Sequence, residues 1–115
     1  MKRALLLLLL ATPAAAQESW IPKGTADLAL LDKIRAQPNT VAVRVGESTV
    51  IGSLTVRVKS CVVRPVDQPA DAAAYLEVTD THGNNDVFHG WLLAKTPGAS
   101  QMEHPVYDVR LLGCH

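Results

Sequence analysis

The densest group of titratable side chains in the sequence is Glu103-His104-Pro105-Val106-Tyr107-Asp108. A histidine beside carboxylates can serve as a general base oriented by an acid, or as one ligand of a metal site when others converge. On that chemistry the chain would be a small hydrolase using Glu103, His104 and Asp108. The spacing argues the other way. Along a strand His104 and Asp108 share a face roughly 13 Å apart, too far for a direct hydrogen bond unless Pro105 turns the chain. The competing expectation is that both side chains satisfy backbone groups where a strand begins.

Other reactive residues form weaker patterns. His82, His89, His104, His115 and Cys114 show no HxH, HExxH or CxxC spacing, so neither a metal nor a cofactor is expected. The serines Ser19, Ser48, Ser53, Ser60 and Ser100 lack a GxSxG elbow. Cys61 and Cys114 are the two cysteines of the chain. In an oxidising compartment they read as one disulfide, whose long loop stabilises the fold by about 3 to 4 kcal/mol. Trp20, in a poorly patterned N-terminal arm, is the better candidate for an exposed contact, whereas Trp91 is expected in the core. Pro65 and Pro69 stiffen a loop that orders at low entropic cost on binding.

The elements that must position these residues follow from periodicity. Thr25 reads as a helix cap, Leu28, Leu31 and Ile34 recur on one face, and Gln37-Pro38 stops the pattern, which predicts a short helix over about residues 26–36. Beyond Pro38 the period becomes two. Val41, Val43 and Val45 alternate with small and polar residues, as do Leu54, Val56 and Val58 in a longer run reaching Val63. Ala73 to Thr79 and Val87 to Leu93 read as strands around a polar turn, and Val106 to Leu112 as a last strand ending at Cys114. The fold class is therefore mainly β, a compact antiparallel sandwich or partly open barrel of five or six short strands with one short N-terminal helix. Residues 17–38 would form an N-terminal arm and helix, and residues 39–115 the β domain.

Residues 1–16 read as an address. Met1-Lys2-Arg3 is a positive start, the apolar run from Ala4 to Ala11 contains six consecutive leucines, and Ala14-Ala15-Ala16 suits a signal peptidase. The run is about half the roughly 20 residues that span a bilayer, so cleavage after about Ala16 and a periplasmic destination are expected, with no transmembrane anchor in the mature chain. Eleven Lys and Arg balance eleven Asp and Glu over the whole sequence, and losing Lys2 and Arg3 leaves nine against eleven. That balance disfavours nucleic acid as a partner.

The stretch Phe88-His89-Gly90-Trp91, then Pro97, then Glu103 to Val109 and Cys114, resembles the bacterial domain-of-unknown-function family 2155. The likeness takes in Leu31-Asp32-Lys33, Val45-Gly46-Glu47, Gly52-Ser53-Leu54, Cys61, Pro65, Pro69 and Ala73 to Glu77, and covers roughly residues 28 to 114. It departs from that family's pattern at Leu92 for a Met, Lys95-Thr96 for two serines and Arg110 for a Trp. The resemblance implies a small exported protein of Gram-negative bacteria and no particular activity. Together the residues support a non-enzymatic binding or scaffolding module for an envelope protein or cell-wall component. The alternatives are the small hydrolase above, or an inhibitor of an envelope hydrolase acting through the Pro65–Pro69 loop.

Overall fold

A computed structural model of the chain describes residues 19–82 and 85–115. The leader expected over residues 1–16 lies outside the described residues. Among these residues eight strands follow in order: β1 (Ile21–Pro22), β2 (Thr25–Asp32), β3 (Gln37–Arg44), β4 (Ser48–Ile51), β5 (Leu54–Val63), β6 (Ala72–Asp80), β7 (Asn85–Leu93) and β8 (Tyr107–Cys114), with a 3-10 turn at Pro97–Ala99. They form two antiparallel sheets. One runs β1-β5-β6-β7, with β4 also paired to β5, and the other runs β3-β2-β8.

Alternation builds the core between the sheets. Leu54, Val56 and Val58 of β5, Ala74, Leu76 and Val78 of β6, Ala26, Leu28 and Leu30 of β2, and Val109 and Leu111 of β8 all point inward and are buried. β-branched and small aliphatic side chains suit such pleated, closely packed faces. At Lys59 an extra residue interrupts the β5–β6 register, which turns Cys61 inward.

The predicted helix over 26–36 is absent, and its residues form β2 and the turn after it. Burial follows Ala26, Leu28 and Leu30, two residues apart, while Ile34 is 76% exposed. Helix-favouring Ala and Leu are overridden because β2 is the central strand of its sheet, with β3 on one side and β8 on the other. The turn is closed locally. Asp32 Oδ1 accepts the N–H groups of Ile34 (3.0 Å) and Arg35 (3.1 Å), and Ala36 takes a positive φ of 53°.

The chain changes sheets twice at one corner, between β1 and β2 and between β3 and β4. The Val45 N–H donates to the Gly24 carbonyl (2.9 Å), and Gly46, at φ 91°, donates to the Val58 carbonyl (2.7 Å). The sheets are thus joined along this side and unpaired between the edge strands β7 and β8.

Cys61 of β5 and Cys114 of β8 form the disulfide, with Cα atoms 5.8 Å apart. It joins one sheet to the other. Replacing both cysteines by alanine should lower unfolding free energy by about 3 to 4 kcal/mol in denaturant melts. A thiol assay on the unfolded, unreduced wild type should find no free thiol.

Candidate functional site

His104 lies in the segment leading into β8, and its ring is held by three partners. Nδ1 accepts hydrogen bonds from the N–H groups of Val106 (3.1 Å) and Tyr107 (3.2 Å). A nitrogen accepting from two donors carries no proton, which places the proton on Nε2, 3.3 Å from Asp80 Oδ2. The ring also stacks on Tyr107, centroid to centroid 5.4 Å. Lys33 Nζ donates to the His104 carbonyl (2.7 Å), fixing the same segment to the β2–β3 turn.

Asp80 closes β6 and gathers donors. The His82 N–H reaches its Oδ1 at 2.9 Å, and this bond, followed by one from the Ser53 hydroxyl and then the His104 contact, holds its carboxyl below the usual carboxylate value despite an opposing contribution from burial. Thr81 donates from both its N–H (2.9 Å) and its hydroxyl (3.0 Å) to the Ser53 carbonyl. Tyr107 reaches across the same gap. A Cβ on Gly52 would run into the Tyr107 ring and hydroxyl, and Gly52 has a φ of 55°. Only a residue without a side chain fits both demands.

The cluster therefore joins the β4–β5 turn and the end of β6 to the entry of β8. It contains a serine, a histidine and an aspartate, but the aspartate stands in the middle. The Ser53 hydroxyl is turned to the carboxylate, leaving the imidazole without a hydroxyl to activate. What this arrangement does chemically is satisfy three backbone N–H groups, those of His82, Val106 and Tyr107, and close a turn.

The other sequence candidates lie apart. Asp108 does not meet His104; its Oδ2 accepts from Arg110 Nε (3.1 Å). Glu103 is exposed. Glu103, Asp108, Arg110, Lys33 and Met102 line a groove of about 700 Å³ beside β8. Among the described residues no three His, Cys, Asp or Glu side chains gather as a metal site would require. Pro65 and Pro69 bound a loop between β5 and β6, in which the Gln68 N–H donates to the Pro65 carbonyl (3.0 Å).

Trp91, expected in the core, is instead 44% exposed. Among the described residues no helix covers the outer face of β7, so Trp91 stands on an open face, opposite Tyr75 of β6, their rings edge to face at 5.5 Å. In the next row Val62, Ala73 and Leu93 line up across β5, β6 and β7. Trp20 lies over this surface, with the Arg64 guanidinium 4.0 Å from its ring centre. Trp20, Val62, Ala73, Trp91, Leu93 and Ala99 enclose a mostly apolar groove of about 480 Å³. Tyr75 and Trp91 share a face because the hairpin register shifts between Val78 and Thr79, which strand parity in the sequence does not reveal.

Asp80 is predicted to carry pH-dependent stability. Its folded value is depressed, so the contribution is present above the unfolded carboxylate range and lost as pH falls below about 4. Asp80→Asn should lower the melting temperature at neutral pH and flatten the acid limb of a stability–pH curve. His104→Ala should cost about 1 to 3 kcal/mol by orphaning two N–H groups, measured in denaturant melts.

Residues 26–114 match the model of a family described as uncharacterised proteins conserved in bacteria, DUF2155. An uncharacterised protein of Rickettsia prowazekii (strain Madrid E), RP359, is 27% identical over 89 residues, covering 73% of this chain and 56% of the relative. The chain thus spans about half the length of the curated relative it matches. No solved structure matches the chain. With the match running from β2 to the second cysteine of the disulfide, the chain belongs to the DUF2155 family of bacterial proteins.

Proposed function

We propose that this chain is a non-enzymatic binding module of the bacterial cell envelope, exported to the periplasm by a leader over residues 1–16. Its partner is another envelope protein, which inserts an apolar side chain into the groove between Trp20 and Trp91. The observation that carries this reading is the groove itself. Trp91 stands exposed on the outer face of a sheet, where the core gives no reason for it, with Trp20 and Leu93 half-buried beside it. Trp is enriched among the residues that dominate binding energy, and about 480 Å³ suits a few buried side-chain groups.

Export is supported by the disulfide, since such bonds persist in oxidising compartments. Among the described residues no helix is long and apolar enough to cross a membrane, which is compatible with a mature form free of an anchor. The engagement of both His104 ring nitrogens supports a binding role over a hydrolytic one. A partner that proved to be an envelope hydrolase would make the module an inhibitor, and the Pro65–Pro69 loop reaches the groove through Arg64 on Trp20.

In-cell crosslinking of the tagged chain, followed by identification of what is captured, tests the reading. One reproducible envelope protein is expected, and Trp91→Ala and Trp20→Ala should each abolish its capture. Trp91→Ala should cost only about 1 kcal/mol of stability, because it removes one aromatic pair outside the core. Capture unchanged in both variants would refute the assignment of the groove.

A further inference from the structure

The groove between Trp20 and Trp91 lies at one end of a wider surface, the outer face of the β5-β6-β7 sheet, whose rows follow from register. Val62, Ala73 and Leu93 form one row, and Ser60, Tyr75 and Trp91 the next. Beyond the aromatic pair the third row is Ser48, Arg57, Glu77 and His89, running from β4 to β7. Apolar character therefore ends at Tyr75 and Trp91, and charge begins one row further on.

The charges on this face are unevenly placed. β5 carries Arg57 and, in its bulge, Lys59, both exposed, and Arg64 follows just past the strand with its guanidinium over Trp20. Glu77 of β6 lies among them, 3.8 Å from Lys59 Nζ, while Asp86 is drawn to His89 at 3.3 Å. Among the described residues Arg57 has no carboxylate partner. The chain as a whole carries eleven residues of each sign, so the positive excess is local to this strand. An exposed pair such as Lys59 with Glu77 contributes little, which leaves Lys59 able to turn to a better acceptor.

Resting on the reading of the groove as a protein-binding site, we propose that the segment of the partner that docks there is acidic. Its apolar side chain sits between Trp20 and Trp91, and its carboxylates meet Arg57 and Lys59. β5 and β7 lie about 10 Å apart across β6, and one row adds about 7 Å along the strands, so the two contacts are about 12 Å apart. An extended segment covers that distance in about three or four residues. An apolar residue with Asp or Glu at that spacing fits the face, whereas Lys or Arg at the same place meets Arg57 and Lys59 and is rejected. Opposite charge beside an apolar anchor speeds association and sets the choice of partner more than it adds affinity.

Panning a phage-displayed library of random peptides against the purified chain, disulfide intact, tests the assignment. Selected peptides are expected to combine an aromatic or aliphatic residue with Asp or Glu about three or four positions away. In fluorescence anisotropy the best of them should bind the R57E/K59E chain roughly tenfold or more weakly. Its counterpart with Lys in place of Asp and Glu should regain affinity for that variant, which also shows the variant to be folded. Raised salt should weaken binding to the wild type and leave binding to an R57Q/K59Q chain nearly unmoved. Peptides with no acidic preference, or whose affinity survives charge reversal, overturn the inference; if Trp91→Ala still abolishes their binding, the groove itself stands. Peptides indifferent to Trp91→Ala refute both readings. A library that yields no binder refutes the acidic segment as well, and the capture experiment then decides on the groove alone.

Discussion

Cys61 and Cys114 occupy the same end of two strands that run side by side in opposite sheets, and their bond fixes how those sheets lie over the core. At the other end of β5 and β8 the cluster of Gly52, Asp80, His104 and Tyr107 makes the corresponding closure without a covalent bond. Between the two closures the buried side chains are mostly valine, alanine and leucine, with Met102 among them. Such a core has little shape to resist sliding of one sheet over the other, so alignment comes from the ends. The two ends respond to different conditions: one to reductant, the other to the ionisation of Asp80.

The polar closure also accounts for the residue types that first suggest catalysis. A histidine, an aspartate, a serine and a tyrosine in one place resemble a reactive set, but His104 and Asp80 accept backbone N–H groups, the Ser53 hydroxyl meets the Asp80 carboxylate and the Tyr107 ring stacks on His104. Nδ1 of His104 spans a turn in the way a capping side chain spans a helix start, with Asp80 fixing the tautomer from the other side. The surface left over for recognition is elsewhere, on the outer face of the β5-β6-β7 sheet.

Much of this fold is legible from alternation alone. Val41 to Val45, Leu54 to Val58 and the hairpin of β6 and β7 are read correctly because one face of each is buried, and the disulfide follows from a count of two cysteines. The first long strand is not legible, because Leu28 belongs to two patterns at once. It is spaced by two from Ala26 and Leu30, and by helical intervals from Leu31 and Ile34. What decides between them is β8, at the far end of the chain. The misplacement of Trp91 has a related origin: residues 26–36, predicted as a helix, form a strand and turn in the opposite sheet, and among the described residues no helix covers the face of β7 that carries Trp91. Asp80 as the partner of His104 has no spacing signal at all, since sheet register alone brings them together.

The position of β2 between β3 and β8 has a further consequence for how the molecule is made. Its hairpin with β3 can form from neighbouring residues, but its other edge is completed only by β8, about eighty residues further along the chain. Half of one sheet, and the disulfide with it, must wait until β8 has been made. Contacts of such long sequence separation make folding slow and late. Until β8 is made, β2 has one edge unpaired and the buried face of Ala26, Leu28 and Leu30 lacks the cover of Val109 and Leu111.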